Sequence, residues 1–197
     1  MKKKKVAIDV DGVLYDLVTP WLNLYNEVYD DTLKLRNIEQ YDLSKYTKCS
    51  KEEMSQLLQE PTIWEQIKLY RGVKKYIQEL NNNEDVDLFL VTATSYKTCK
   101  CKFDRLFELL PMLNENQLVI TSRKDLIGAN FFVDDWEDNL REMALTKHGI
   151  PILVTQPYNK SFPNSLYGIT RADNTKEALK MVVDYIEKQK DIFKSLD

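Results

Sequence analysis

Soft metal ligands are scarce in this chain: among 197 residues there is one histidine, His148, and three cysteines, Cys49, Cys99 and Cys101. An odd cysteine count, with two of the three separated by a single residue, is a poor disulfide framework and points to a reducing compartment. Cys99 and Cys101 would supply half of a zinc site, but two further ligands are needed and the lone histidine is distant in sequence. Two ordinary thiols on a helix is the simpler reading. No apolar run approaches the length of a membrane span. The N-terminal lysines look like the start of a secretory signal, yet the following VAIDVDGVL is interrupted by aspartates and cannot be its hydrophobic region. A cytoplasmic protein is therefore expected. Excess charge of one sign is also missing. A net charge of -3 gives no general attraction to phosphate backbones, which disfavours duplex nucleic acid as a partner. A small phosphorylated ligand remains open, because local positive charge is enough to meet it.

What is present is an ordinary globular balance, 43% hydrophobic and 30% charged residues, enough for a normal core. Short β-rich apolar runs recur at 6–8, 86–92, 117–121, 130–134 and 151–155. Several are continuous rather than alternating, as in strands covered on both faces. Helical periodicity lies between them, over 72–82, 97–110 (through Phe103, Leu106, Phe107 and Leu110), 138–147 and about 175–190. Strands alternating with helices predict right-handed crossovers and an α/β, doubly wound parallel sheet. From Leu17 to Arg71 the alternation stops. Helical segments are predicted at 21–29 and 51–60, the second with Ser50 as N-cap. The expected organisation is a core built from 1–16 and 72–197, with 17–71 inserted as a helical cap.

Ligands of open parallel sheets bind beyond the carboxyl ends of the strands, so those ends are the places to inspect. The first strand leads into Asp9-Val-Asp11, whose alternate residues share a face. The strand at 86–92 ends in Thr92, followed by Ala93 and Thr94, and that at 130–134 ends in Asp134-Asp135. Ser122-Arg123-Lys124-Asp125 precedes this last strand. Taken singly these are weak signals. A strand-end Asp-x-Asp is often a polar turn, and acidic pairs commonly open helices. Together they bring four carboxylates, a hydroxyl and a basic group to one sheet edge. So much negative charge calls for a hard cation, and Mg2+ prefers a few carboxylates plus phosphate and water. The chemistry that needs an anionic nucleophile, a metal and a fixed cation together is phosphoryl transfer.

DVDGVLYD, LVTAT, the lysine of RKD, and FFVDD resemble, in order, the four motifs of the haloacid dehalogenase (HAD) superfamily of phosphatases. The interval between Lys124 and Asp134 and the insertion directly after GVLYD resemble its 5'(3')-deoxyribonucleotidase branch, whose helical cap holds a nucleoside monophosphate. The resemblance implies that Asp9 is the nucleophile and forms an aspartyl-phosphate. It implies that Asp11 protonates the leaving oxygen, then takes a proton from water, and contributes its backbone carbonyl to Mg2+. Thr92 would hydrogen-bond a phosphoryl oxygen, and Lys124 would offset charge on nucleophile and phosphoryl group. Asp134 would ligate Mg2+ beside Asp9 and Asp11, with Asp135 reaching the metal through a water or orienting Lys124. Gly12 would let the backbone approach the phosphate.

Ala93 stands where that branch carries a second small hydroxyl, which makes Thr94 or Ser95 the candidate replacement. Leu17 and Trp64, flanking the two crossings between cap and core, are the candidate base contacts. Trp21, Leu24, Tyr25 and Val28 read as the cap's own core at helical spacing. Asp16 is placed to cap the first cap helix. The expected function is a Mg2+-dependent phosphatase for nucleoside, especially deoxyribonucleoside, 5'- or 3'-monophosphates, and a homodimer is compatible with it. A sugar phosphate or polynucleotide 3'-phosphate as substrate, or a phosphate-binding regulatory domain without turnover, are the alternatives. Asp11, needed only for protonation and hydrolysis, argues against the last.

Overall fold

The computed structural model describes residues 2–146, 149–163 and 166–194; His148 lies outside the described residues. Six strands form one parallel sheet: β1 Lys4–Ile8, β2 Val86–Thr92, β3 Leu118–Ile120, β4 Phe131–Asp134, β5 Ile150–Val154 and β6 Thr170–Ala172, in spatial order β3-β2-β1-β4-β5-β6. The first strand is central, paired in parallel with both β2 and β4. Strand order therefore reverses at β1, between its two neighbours, which is the position where such sheets open a crevice for ligands. Val6, Ala7 and Ile8 are wholly buried, as expected for a strand covered on both faces.

Helices α1 Val18–Tyr29, α2 Lys51–Leu57 and α3 Pro61–Gln66 follow β1 before any other strand; α4 Val73–Asn81, α5 Cys99–Leu109, α6 Glu137–Thr146 and α7 Thr175–Lys194 then alternate with the sheet. Five of the six strands and all of the expected helices fall where periodicity put them, with ends moved by a few residues. The exception is β6. Its three residues, Thr-Arg-Ala, carry no apolar run, and only pairing with β5 makes them a strand.

The helical segment after β1 has its own apolar cluster of Leu22, Tyr25, Ile38, Leu43 and Met54, which Tyr158 from beyond β5 joins. Ile63, Trp64 and Ile67 instead belong to the main core under the sheet. The expected set at helical spacing is thus half right: Tyr25 is buried, while Val28 is 55% exposed because it falls on the outer face of α1. Ser50 caps α2 with a reciprocal capping box to Glu53, and the Asp16 carboxylate accepts from the Thr19 backbone at the start of α1. Among the described residues, no helix is long and apolar enough to cross a membrane.

Candidate active site

The site begins where β1 stops. β1 ends at Ile8, and the next N–H, that of Asp9, is donated 2.8 Å to the carbonyl of Val133 on β4. Ile8 pairs with Val133, so the residues that follow each, Asp9 and Asp134, arrive side by side. Both are buried, at 5% and 0% exposure. Lys124, from the short 3-10 turn Lys124–Leu126, lies between them with its Nζ 2.6 Å from Asp9 Oδ1 and 2.8 Å from Asp134 Oδ2. Burial opposes the charge on Lys124, but Asp9 and Asp134 together hold its ammonium above the ordinary lysine range. Asp134 also accepts from the Trp136 backbone at 2.9 Å and from Asn139 at 3.0 Å, which fixes its carboxylate plane.

Asp11 and Gly12 lie past the strand, on a turn in which the Gly12 N–H meets the Tyr15 carbonyl at 2.9 Å. Gly12 has φ of +74°, and a Cβ there would come within 2.1 Å of Asp135 Oδ2 and 2.6 Å of the Tyr158 hydroxyl. Loops from the far end of the chain brace this turn. Gln156 donates to the Gly12 carbonyl at 2.6 Å and Thr175 to the Val13 carbonyl at 2.7 Å. Asn159 ties the carbonyls of Asp135 and Val154 together, and Arg171 in turn holds Asn159. Gly12→Ala should therefore misplace Asp135 as well as strain the backbone. A side chain in this left-handed region costs about 1–2 kcal/mol by itself. For a chain of this size that lowers the melting temperature by roughly 2–8 °C, readable by thermal circular dichroism.

Thr92, the last residue of β2, is fully buried, and its hydroxyl lies 3.5 Å from Asp11 Oδ2. Ala93 is exposed, and the Thr94 hydroxyl pairs with that of Thr98 at 3.0 Å. Leu17 is 8% exposed and borders the cavity above the site. Trp64 is placed differently from the base contact that its sequence position suggested. It is 4% exposed and donates its indole N–H to the Leu58 carbonyl at 2.8 Å, and its ring packs in the main core rather than on the cavity wall.

Several residues joined to this site had no role in the sequence reading. Lys102, on α5, is 1% exposed and ion-paired with Asp11, with its Nζ also 2.6 Å from the Thr92 hydroxyl. Its signal was faint: a lysine four positions before the buried Leu106, on the apolar face of its helix. Tyr158 donates its hydroxyl to Asp135. Tyr41 stacks on Trp136, with ring centroids 3.8 Å apart, and meets Tyr158 edge-on. The cavity beneath has a volume of about 670 Å³ and is walled by Leu17, Trp21, Tyr41, Met54, Trp136 and Tyr158, with Asp11 and Asp135 at its floor. That volume suits a ligand of nucleotide size. The aromatic pairing across distant segments could not be read from spacing.

Four carboxylates, Asp9, Asp11, Asp134 and Asp135, share this volume with two ammonium groups, Lys102 and Lys124. When all are ionised the formal excess is two negative charges. The imbalance is felt. Burial, and after it Asp134 and Asp11, push the Asp9 carboxyl up to about 7 against the pull of Lys124. Burial, with Asp9 and Asp134, holds Asp135 well above the usual carboxylate range even though Tyr158 donates to it. Buried like charges of this kind are stable only when something neutralises them. Asp9, Asp134 and Asp135 each offer an oxygen within 4.8 Å of the others, an all-oxygen set that suits a hard divalent cation.

Comparison with known proteins agrees with this geometry. The family profile for "5' nucleotidase, deoxy (Pyrimidine), cytosolic type C protein" matches residues 3–189. The chain is 28% identical over 163 residues to a 5'(3')-deoxyribonucleotidase of Clostridium acetobutylicum, covering 82% of this chain and 87% of that one. A 5'(3')-deoxyribonucleotidase of Bacillus subtilis is 29% identical over 160 residues, covering 81% and 89%. Among solved structures, a haloacid dehalogenase-like hydrolase from Streptococcus pneumoniae superposes with a TM-score of 0.63 at 13% identity, covering 93% of this chain and 98% of that one. A magnesium-bound HAD hydrolase from Bacillus subtilis gives 0.57 at 15% identity, covering 92% and 99%. At those identities the structural matches establish the fold.

Proposed function

The chain belongs to the deoxy-type, cytosolic type C 5'-nucleotidase family, on the HAD-like fold, and is a phosphoric monoester hydrolase; from that membership we propose that it hydrolyses deoxyribonucleoside 5'- or 3'-monophosphates by way of a phosphorylated Asp9. The observation that supports this most directly is the position of Asp9. It sits where strand order reverses, ion-paired with Lys124 and grouped with the buried Asp134 and Asp135, next to the Asp11–Gly12 turn that borders the cavity.

In the proposed reaction an Asp9 carboxylate oxygen attacks phosphorus and the bond from phosphorus to the leaving oxygen breaks. Asp11, two residues on and partly open to the cavity, gives its proton to that oxygen, and the nucleoside departs. Water then attacks phosphorus, Asp11 recovers a proton, and the bond from phosphorus to Asp9 breaks to release inorganic phosphate. Lys124 stays within reach of Asp9 throughout and offsets the charge that gathers on the phosphoryl oxygens. The Thr92 hydroxyl would donate to one of those oxygens. Asp9, Asp134 and Asp135, with the Asp11 carbonyl, would hold Mg2+, which when bound supplies the remaining positive charge. Segment 17–71 acts as the cap, and Leu17, Trp21, Tyr41 and Trp136 give the nucleoside its apolar, aromatic surroundings.

A substrate panel tests the proposal. Phosphate release is measured from deoxyribonucleoside 5'- and 3'-monophosphates, their ribose counterparts, a sugar phosphate and a 3'-phosphorylated oligonucleotide. The deoxyribonucleoside monophosphates should give the highest kcat/KM. A sugar phosphate or the oligonucleotide as best substrate would overturn the assignment.

A further inference from the structure

Among the described residues, Lys102 is the one buried cation that the proposed reaction leaves without a task. Lysine is almost never fully buried unless paired, because removing an ammonium group from water costs several kcal/mol. Neighbouring Lys97 and Lys100 on the same short stretch are exposed, and Lys100 pairs with Asp104 at the surface. Lys102 instead turns inward above Leu106, and its three N–H bonds have three acceptors in reach: Asp11 Oδ2, Thr92 Oγ1 at 2.6 Å and the Ala93 carbonyl at 3.4 Å. An ammonium group only donates. Thr92 Oγ1 is therefore an acceptor toward Lys102, and its own proton is directed elsewhere. The two oxygens of Asp11 are thereby made unequal. Oδ2 carries the lysine, while Oδ1 is buried on the side of the Tyr15 hydroxyl, away from solvent.

We propose that Lys102 is a positioning residue that fixes Asp11 through Oδ2, so that the Asp11 carboxyl is held where it passes the proton to the leaving group and later takes one from water. This rests on the reading of Asp11 as the acid and base of the reaction. In this proposal the contribution of Lys102 runs through the orientation of another side chain. It differs from Lys124, which reaches Asp9 and Asp134 directly.

The test exploits leaving groups. A nucleoside alkoxide needs a proton as the bond to phosphorus breaks, whereas p-nitrophenolate leaves without one. In Lys102→Met, turnover of a deoxyribonucleoside monophosphate should fall by about 10²-fold or more, the usual worth of a placed acid or base. The same variant should release a stoichiometric burst of p-nitrophenolate from p-nitrophenyl phosphate at near wild-type rate, then turn over slowly, because the water step still needs Asp11. In an Asp11→Asn background the Lys102 substitution should cause no further loss with the nucleotide, since the residue acts only through Asp11. Equal losses with both substrates and no burst, or an additive loss in the double variant, would overturn the proposal. Should Lys102→Met not fold by circular dichroism, Lys102→Arg keeps the charge but exchanges the compact ammonium for a planar fork, and the ratio between the two substrates is read on it. Failure of the wild-type protein to hydrolyse either phosphomonoester would be a failure of the proposed function, distinguishable from any result on Lys102.

Discussion

Asp9→Asn is expected to reduce phosphate release by on the order of 10⁴-fold or more, the scale of losing a covalent nucleophile, without lowering the melting temperature of the metal-free protein. The two halves of this expectation have one cause. Asp9 is buried beside Asp134 and Asp11, which together with burial raise its carboxyl to about 7. Asparagine has nearly the same shape and carries no charge to desolvate, and Lys124 keeps its 2.8 Å partner in Asp134. Removing the nucleophile therefore relieves repulsion while abolishing attack on phosphorus. Phosphate release and thermal melts in EDTA read the two halves separately. Turnover that survives the substitution would remove Asp9 from the nucleophile's role, and a large fall in melting temperature would show that its ion pair matters more than its burial.

Withdrawing divalent metal carries the second large effect. Asp9 and Asp135 have raised pKa values in the metal-free site, so the unfolded chain releases their protons more readily than the folded one. Groups of this kind lend stability at low pH, and that stability is lost as pH rises through the folded-state value, about 7 for Asp9. Metal-free protein should therefore melt progressively lower from pH 5 toward pH 8. Mg2+ should stabilise it most at the alkaline end, where it no longer competes with protons for the carboxylates. At a hundredfold excess over its dissociation constant, binding contributes about 2.7 kcal/mol, or roughly 5–11 °C for a protein of this size. Nucleotide turnover should disappear in EDTA and return on adding Mg2+. Undiminished turnover in EDTA, or a Mg2+ increment that is the same at both ends of the range, would contradict a metal held by Asp9, Asp134 and Asp135.

The strands and helices were legible because their residues report burial directly. Val6, Ala7 and Ile8 form a continuous apolar run since β1 is central and covered on both sides. Val73, Tyr76, Ile77 and Leu80 recur at helical spacing because one face of α4 meets the core. Asp9, Asp11, Thr92, Asp134 and Asp135 could be chosen for the same reason, as polar residues where apolar strands end, by the rule that strand ends of a parallel sheet face the ligand. Lys124, in the segment before β4, was singled out from its neighbour Arg123 by the resemblance to the HAD motifs. β6 lay beyond such reasoning, since Thr170–Ala172 owe their strand geometry to β5.

What the sequence by itself determined, then, is the alternation of elements, the acidic character of one sheet edge and the order of its motifs, all of which are local in the chain. Only the tertiary structure decided which charges meet. A lysine on a helix looks alike whether it faces solvent, as Lys100 does, or sinks toward Asp11, as Lys102 does, because the difference lies in what packs opposite. Trp64 likewise went to the core, and Tyr41, Trp136 and Tyr158 met over the carboxylates from three separate segments. Contacts between distant segments follow from how the elements pack against one another, and no local pattern encodes them.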